Sequence, residues 1–381
     1  MSKVHKIQRG LCRLIILLGA ILLSSTPTFA EDAKEITGLL DRLLGSPQLQ
    51  AQPGFSVNML VPPGEFYDPL WLLQQGDVVW INDDGGEEGE KGSQILAVTA
   101  DGKVSDLIAL GRLLPTTGFD IAPADFGAYG GHIFTVGQGK VSLPGAMANH
   151  VIQRVDPKTQ DVATVVCTLP AVNDVPSGFG VDARFGPAGS PFAGKFYAAA
   201  ALNNTIYQIT PDGTCTPFIT FDAKPWGSPT GFTFSADGKS MFVAVTQGSL
   251  LEPATPGGGA IVRVSPEGKM DAEPVVTGLS RPMGVTQAPG SFGAYGGQLF
   301  ISDGVDLQAP VPMTQALKTD GKIYRAAIGG APQLVATGFV NPSGLQVVGD
   351  ALWVTDINGD FIGGQRELPD GFVAMIQVVG E

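Results

Sequence analysis

The chain has 381 residues, with 36 acidic against 23 basic side chains and a formal charge of −13. That balance argues against nucleic acid and anionic membranes as partners, because phosphate-rich surfaces are met by basic patches. It carries 52 glycines and 29 prolines, the composition of many tight turns between short strands.

The first thirty residues stand apart. Lys3, Lys6, Arg9 and Arg13 make a basic start, residues 14–23 are apolar, and SSTPTFA ends at Ala30. This pattern predicts a secretory signal peptide cleaved after Ala30. The apolar run is short of the ~20 residues that a span needs. Cys12 precedes the run, where a lipid anchor would need a cysteine after it. Cleavage leaves 19 basic against 36 acidic side chains, or −17. The expected product is exported, periplasmic or secreted, with no membrane span.

Residues 32–45 predict a helix. Asp32 and Glu35 form a capping pair, and Ile36, Leu39, Leu40, Leu43 and Leu44 share one face. That face must be buried, against the main body or against a partner. Gly45 ends the helix, SPQLQAQP reads as a linker, and residues 54–62 alternate as a strand.

An internal repeat follows. PLWLLQQGDVVWIND (69–83) aligns without gaps on PSGLQVVGDALWVTD (342–356), with six of fifteen positions identical. The glycine of its first strand recurs at Gly118, Gly178, Gly231, Gly284 and Gly344, and Trp71 stands there in the first copy. A second block, FGAYGG, occurs at 126–131 and 292–297. Six units of about 50–60 residues with short strands and glycine turns predict an all-β, six-bladed propeller. The blades are expected at 69–110, 115–169, 176–221, 229–277, 282–337 and 342–380, in one domain over 54–381. The last blade shows only three strands, so the strand at 54–62 is expected to supply the fourth and close the ring.

Cys167 and Cys215 fall near the outer strands of neighbouring blades and form no metal or redox motif. In an exported chain they are either a disulfide or two small buried hydrophobes.

Five blades carry long connections between strands two and three, at 84–92, 138–148, 246–259, 304–320 and 357–370. These place a binding face on that side. Three features map to it. Asp83, Asp303 and Asp356 end strand two in three neighbouring blades. They either accept backbone N–H bonds that fix their loops or form an acidic cluster for a cation. Asp356, Asn358 and Asp360 supply oxygens at positions one, three and five of a glycine-bearing loop, a spacing that suits calcium or a solvated turn. Thr117, Ser177, Thr230 and Ser343 precede the strand-one glycine. They are candidates to line the channel mouth and hydrogen-bond a sugar, a lactone or water.

Past the leader the histidines are His132 and His150. His150 ends a long loop and is the candidate imidazole base. No G-x-S-x-G, H-E-x-x-H, P-loop or dinucleotide fingerprint is present.

The P-x-G start, the G-x-L-F/W-V-x-D second strand and the I-x-x-V third strand resemble the NHL-repeat propellers. They also resemble the gluconolactonase/senescence-marker and strictosidine-synthase-like propellers, over about residues 54–381. The lactonase resemblance implies a divalent metal, often calcium, held at the channel by Glu, Asn and Asp, two of which precede the strand-one glycine. Ser177, Thr230, Met283 and Ser343 occupy the matching positions here, and none is a carboxylate or amide. FGAYGGQLFISD also resembles the exported quinone-dependent sugar dehydrogenases, which need a His base and basic residues for an acidic cofactor. The first expectation is a monomeric propeller that binds a small neutral or cationic ligand, a glycan or a protein partner, with calcium as its one candidate cofactor. The alternatives are a periplasmic metal-dependent lactonase or esterase, and third a quinone-dependent dehydrogenase.

Overall fold

The computed structural model describes residues 47–84, 92–138, 149–178, 180–248, 255–304, 321–357 and 369–379. The expected signal peptide and helix lie outside these residues, as do most of four of the long connections and residues 249–254 of the fifth.

Among the described residues twenty-five strands form six sheets. Strands β1 (Gln50–Ala51) and β2 (Phe55–Phe66) come first. Blade one is β3 (Pro69–Gln75), β4 (Val78–Asp83), β5 (Gln94–Thr99) and β6 (Val104–Ile108). Blade two is β7 (Thr116–Ile121), β8 (Ile133–Gln138), β9 (His150–Val155) and β10 (Thr164–Thr168). Blade three is β11 (Gly180–Phe185), β12 (Phe196–Ala200), β13 (Thr205–Ile209) and β14 (Cys215–Thr220). Blade four is β15 (Ser228–Phe234), β16 (Met241–Thr246), β17 (Gly259–Val264) and β18 (Val276–Leu279). Blade five is β19 (Pro282–Gln287), β20 (Leu299–Asp303), β21 (Gly321–Ala326) and β22 (Gln333–Phe339). Blade six is β23 (Pro342–Val348), β24 (Ala351–Asp356) and β25 (Gly371–Val378).

Strand β2 completes blade six by pairing antiparallel with β25, from Phe55 opposite Val378 to Phe66 opposite Gly371. The first and last parts of the chain therefore share one sheet, and the ring closes as expected. The expected linker holds a surprise. Gln50 and Ala51 pair with Thr337 and Ala336, so β1 is a fifth, outermost strand on blade five. It covers an edge that would otherwise expose unpaired backbone groups.

The buried side chains divide into six clusters: five each fill one seam between neighbouring blades, and the sixth fills the seam between blades one and two and extends into the hub. Between blades three and four, for example, Phe192, Tyr197, Ile206, Phe232, Val243 and Val262 pack together. A lone four-stranded sheet cannot bury both faces; the ring supplies each face with a neighbour.

The FGAYGG block is a 3-10 turn between strands one and two, at Gly127–Tyr129 and again at Gly293–Tyr295. Phe126 and Phe292 anchor it in the core. An arginine from strand three lies over each tyrosine, Arg154 at 4.2 Å from the Tyr129 ring centroid and Arg325 at 4.5 Å from that of Tyr295. Blades two and five are opposite in the ring, so the duplicated motif makes a pair of matched corners.

A disulfide joins Cys167 of β10 to Cys215 of β14, with Cα atoms 6.3 Å apart. It ties the outer strands of blades two and three, where neighbouring sheets have splayed apart.

Candidate functional site at the central channel

The inner strands meet at the axis. In every blade strand one carries, at or next to its start, a paired residue followed by a bulge: Pro69 opposite Asp83, Thr116 opposite Gly137, Gly180 opposite Ala200, Pro229 opposite Val245, Pro282 opposite Asp303 and Pro342 opposite Asp356. Two residues further on, at one level of the ring, stand Trp71, Gly118, Asp182, Gly231, Gly284 and Gly344. The repeat glycine of blade three is therefore displaced. The strand pairing puts Asp182 at that level, four residues after Gly178.

The glycines exist because neighbouring inner strands touch backbone to backbone. A Cβ on Gly118 would lie 2.2 Å from the Ala183 nitrogen, and one on Gly284 would lie 2.4 Å from the Ser343 oxygen. One on Gly344 would lie 2.4 Å from the Leu70 oxygen. No side chain fits such a gap.

Trp71 breaks the pattern and uses the space the glycines leave. Its Cη2 comes within 2.7 Å of where a Gly231 Cβ would sit, and Gly231 belongs to the opposite blade. The indole thus crosses the axis, and Trp71 is 1 % exposed. Leu70, Val181, Ala201, Met283 and Ile357, from blades one, three, five and six, pack in the same cluster. The channel is closed by an apolar plug at the end where the long connections leave.

The polar side chains expected to form a site here are committed to the frame. Asp83 accepts from the backbone N–H of Tyr67 and Asp68 at 3.0 and 2.8 Å, and from the Gln94 amide at 2.8 Å. Asp303 accepts from Ser280 and Arg281 N–H at 3.0 and 2.7 Å. Asp356 accepts from Val340 and Asn341 N–H at 2.8 and 2.9 Å. Each carboxylate holds the two residues that lead into strand one of its own blade. Burial pushes Asp83 up to about 7 and raises Asp303 despite these bonds. No three His, Cys, Asp or Glu side chains converge as a metal site among the described residues. The described donors therefore do not fit the calcium that the lactonase resemblance implies. Asn358 and Asp360 lie outside the described residues.

The hydroxyls behave alike. Thr230 Oγ1 donates to the Pro282 carbonyl at 2.7 Å, across the seam from blade four to blade five. Ser343 Oγ lies 3.0 Å from the carbonyls of both Pro69 and Leu70, joining blade six to blade one. Ser177 Oγ donates to Leu169 O at 2.9 Å and accepts from His150 N–H at 3.1 Å. All three are fully buried, so the expected channel-lining hydroxyls are seam stitches. Thr117 is half-buried and its carbonyl accepts from the Asn82 amide at 3.1 Å, once that amide is oriented to meet its acceptors.

His150 is the first residue of β9 and is 7 % exposed. Burial holds its imidazole down at about 4, neutral at ordinary pH. His132 lies 3.2 Å from Arg154 through Nδ1, at the edge of the Tyr129 corner.

The charged group at the axis was not among the sequence candidates. Asp182 Oδ2 accepts from Phe232 N–H at 3.0 Å and pairs with Arg184 Nε at 3.1 Å. The Arg184 guanidinium lies 6.0 Å from the Trp71 ring centroid. Asp120 accepts from Ile121 and Phe185 N–H at 2.7 and 2.8 Å. Burial raises Asp182 and lifts Asp120 to about 6, partly offset by Arg184. The signal was present in GFDIA and GFGVDARF, where acids fall at or two residues beyond the strand-one glycine level, and the frame of blade three concealed it.

No protein-family model matches the chain, and no curated protein matches it in sequence. Solved structures match its fold. A gluconolactonase from Xanthomonas campestris superposes with a TM-score of 0.54 at 13% identity, covering 88% of this chain and 96% of its own. A Trichoderma reesei member of carbohydrate-active enzyme family AA12 gives 0.54 at 10% identity, with 88% and 98% covered. The soluble aldose sugar dehydrogenase of Escherichia coli gives 0.53 at 14% identity, with 85% and 100% covered. At such identities the likeness is one of architecture, and the chain shares the propeller fold of gluconolactonases and sugar dehydrogenases.

Proposed function

We propose that this chain is an exported binding propeller that takes a small neutral or cationic ligand, or a protein partner, on the face of its long connections. The observation that carries the reading is the sealed floor. Leu70, Trp71, Met283 and Ile357 close the axis at that end, so a ligand on that side rests on the face and does not enter the channel. The interblade disulfide supports an oxidising compartment. Binding is favoured over turnover because the candidate base is buried and neutral and the strand-two carboxylates are held by backbone N–H groups.

The test is a panel of sugars and lactones offered to the mature protein, with binding read by melting shift and turnover by NMR. Saturable binding without turnover supports the reading. Lactone or ester hydrolysis that disappears in Asp303→Ala would overturn it in favour of a periplasmic hydrolase. Fractionation of cells that express the full chain tests export: the protein should lack residues 1–30 and lie outside the cytoplasm.

A further inference from the structure

We propose that the opposite end of the channel is a second binding site, for a small neutral polyol. It is built two residues beyond the glycine level, where Leu73, Asp120, Arg184, Thr233, Thr286 and Gln346 stand at one height. Five of these are partly exposed and Thr286 is 8 % exposed. The residues just before them, Leu72, Phe119, Ala183, Phe232, Val285 and Leu345, are all buried in the seams. The inner strands therefore alternate, one side chain into a seam and the next toward the axis.

Arg184 fixes the direction. It comes from blade three and lies over Trp71 of blade one, which is not its neighbour. Its guanidinium must project into the channel, with the indole behind it as a floor. Only its Nε is used within the frame, on Asp182. The two terminal nitrogens make no hydrogen bond to the described residues, nor do the hydroxyls of Thr233 and Thr286. Gln346 Oε1 accepts from Gln74 N–H at 3.0 Å, which leaves its amide nitrogen as a donor. Each oxygen of Asp120 accepts one backbone N–H and keeps a second acceptor position.

The mouth is thus rich in donors, with one carboxylate acceptor beside them. Two aspartates against one arginine give a formal charge of −1, which disfavours an anion. Adjacent hydroxyls answer this arrangement, since each can accept from Arg184 or Gln346 and donate to Asp120 or a threonine. Trp71 limits the depth, so the ligand is small.

The experiment is calorimetry and saturation-transfer NMR on the mature protein with myo-inositol, D-glucose and, as charged controls, gluconate and choline. Inositol or glucose should bind at millimolar concentration, and gluconate and choline more weakly. Arg184→Lys and Thr286→Val should each weaken polyol binding about tenfold, the cost of a lost buried hydrogen bond. Thr286→Val keeps shape and spares the Asp182 pair, so it remains informative if Arg184→Lys folds poorly. No polyol binding, tighter binding of gluconate or choline, or binding untouched by Thr286→Val would overturn the proposal. These variants do not reach the long-connection face, so failure here leaves the primary reading intact.

Discussion

Replacing Trp71 with alanine tests the closed hub directly. The indole is 1 % exposed and reaches across the axis to Gly231. The inner strands around it carry glycine at 118, 231, 284 and 344, so no side chain there can swing in to fill the gap. Trp→Ala in a core costs about 3–5 kcal/mol, and a site that cannot collapse belongs at the upper end. The lost contact with the Arg184 guanidinium adds about 0.5–1 kcal/mol. The indole N–H has no hydrogen-bond partner among the described residues, so its removal returns about 1 kcal/mol. The net loss is about 4–5 kcal/mol. At ~2.1 cal/mol/K per residue over roughly 330 residues the unfolding entropy is about 0.7 kcal/mol/K, and the midpoint falls by about 6–7 °C. Differential scanning calorimetry of the mature protein reads this. A fall of less than about 1.5 °C, equal to about 1 kcal/mol, would mean that the indole does not fill the axis and the channel is open.

Ser343→Ala should cost about 1–3 kcal/mol in urea unfolding, because it removes a buried donor from the Pro69 carbonyl, while Leu70 keeps the Thr355 hydroxyl at 2.7 Å. Breaking Cys167–Cys215, which spans 48 residues, should lower stability by up to about 4 kcal/mol, seen as a lower melt in Cys167→Ser/Cys215→Ser. Burial raises Asp83 to about 7 and also raises Asp120, Asp182 and Asp303. A raised carboxyl contributes stability that is full below the unfolded value of 3.8 and lost as pH rises through the folded one. His150 opposes this between its ordinary 6.5 and about 4, where its buried neutral form costs stability as pH falls. The two raised carboxyls Asp83 and Asp120 outweigh the one histidine, so the midpoint should decline from about pH 4 to about pH 7 and level off above it, and Asp83→Asn should flatten that decline; an equal slope in the variant would refute the assignment. Added calcium after EDTA should leave the melt unmoved, since the three strand-two carboxylates are taken; a rise abolished by Asp356→Asn would contradict this.

The frame was legible because its rules are written in single residues. Proline begins strand one, glycine marks the level where backbones touch, and aspartate ends strand two to hold the residues before the proline. Three contacts explain three repeated letters, and the shared sheet of β2 and β25 followed from counting strands. The site was less legible because sequence gives spacing and not direction. Thr230 and Ser343 do lie beside the hub glycines, yet their side chains turn into the seams. Asp83, Asp303 and Asp356 do end neighbouring strands, yet each faces its own blade. Blade three misled because PSGFGVD offers two glycines, and only the pairing of Gly180 with Ala200 shows that Asp182 is at the hub level. Trp71 read as a lost glycine, and what it does in the channel depends on Gly231 of the opposite blade.

The plug has a thermodynamic consequence for any ligand. An open channel would let one bound molecule feel both faces, but the indole and its apolar neighbours separate them. Coupling between two sites requires an element with two arrangements whose balance both sites shift. The hub offers none: its glycines are locked by backbone contacts, and its hydroxyls bridge adjacent blades. Ligands on the two faces should bind independently, with affinity on the long-connection face changed by less than about twofold when the Arg184 mouth is saturated. A larger change would show that the inner strands move together, and Trp71, whose side chain reaches across the axis to Gly231, would be the first place to look for the second arrangement.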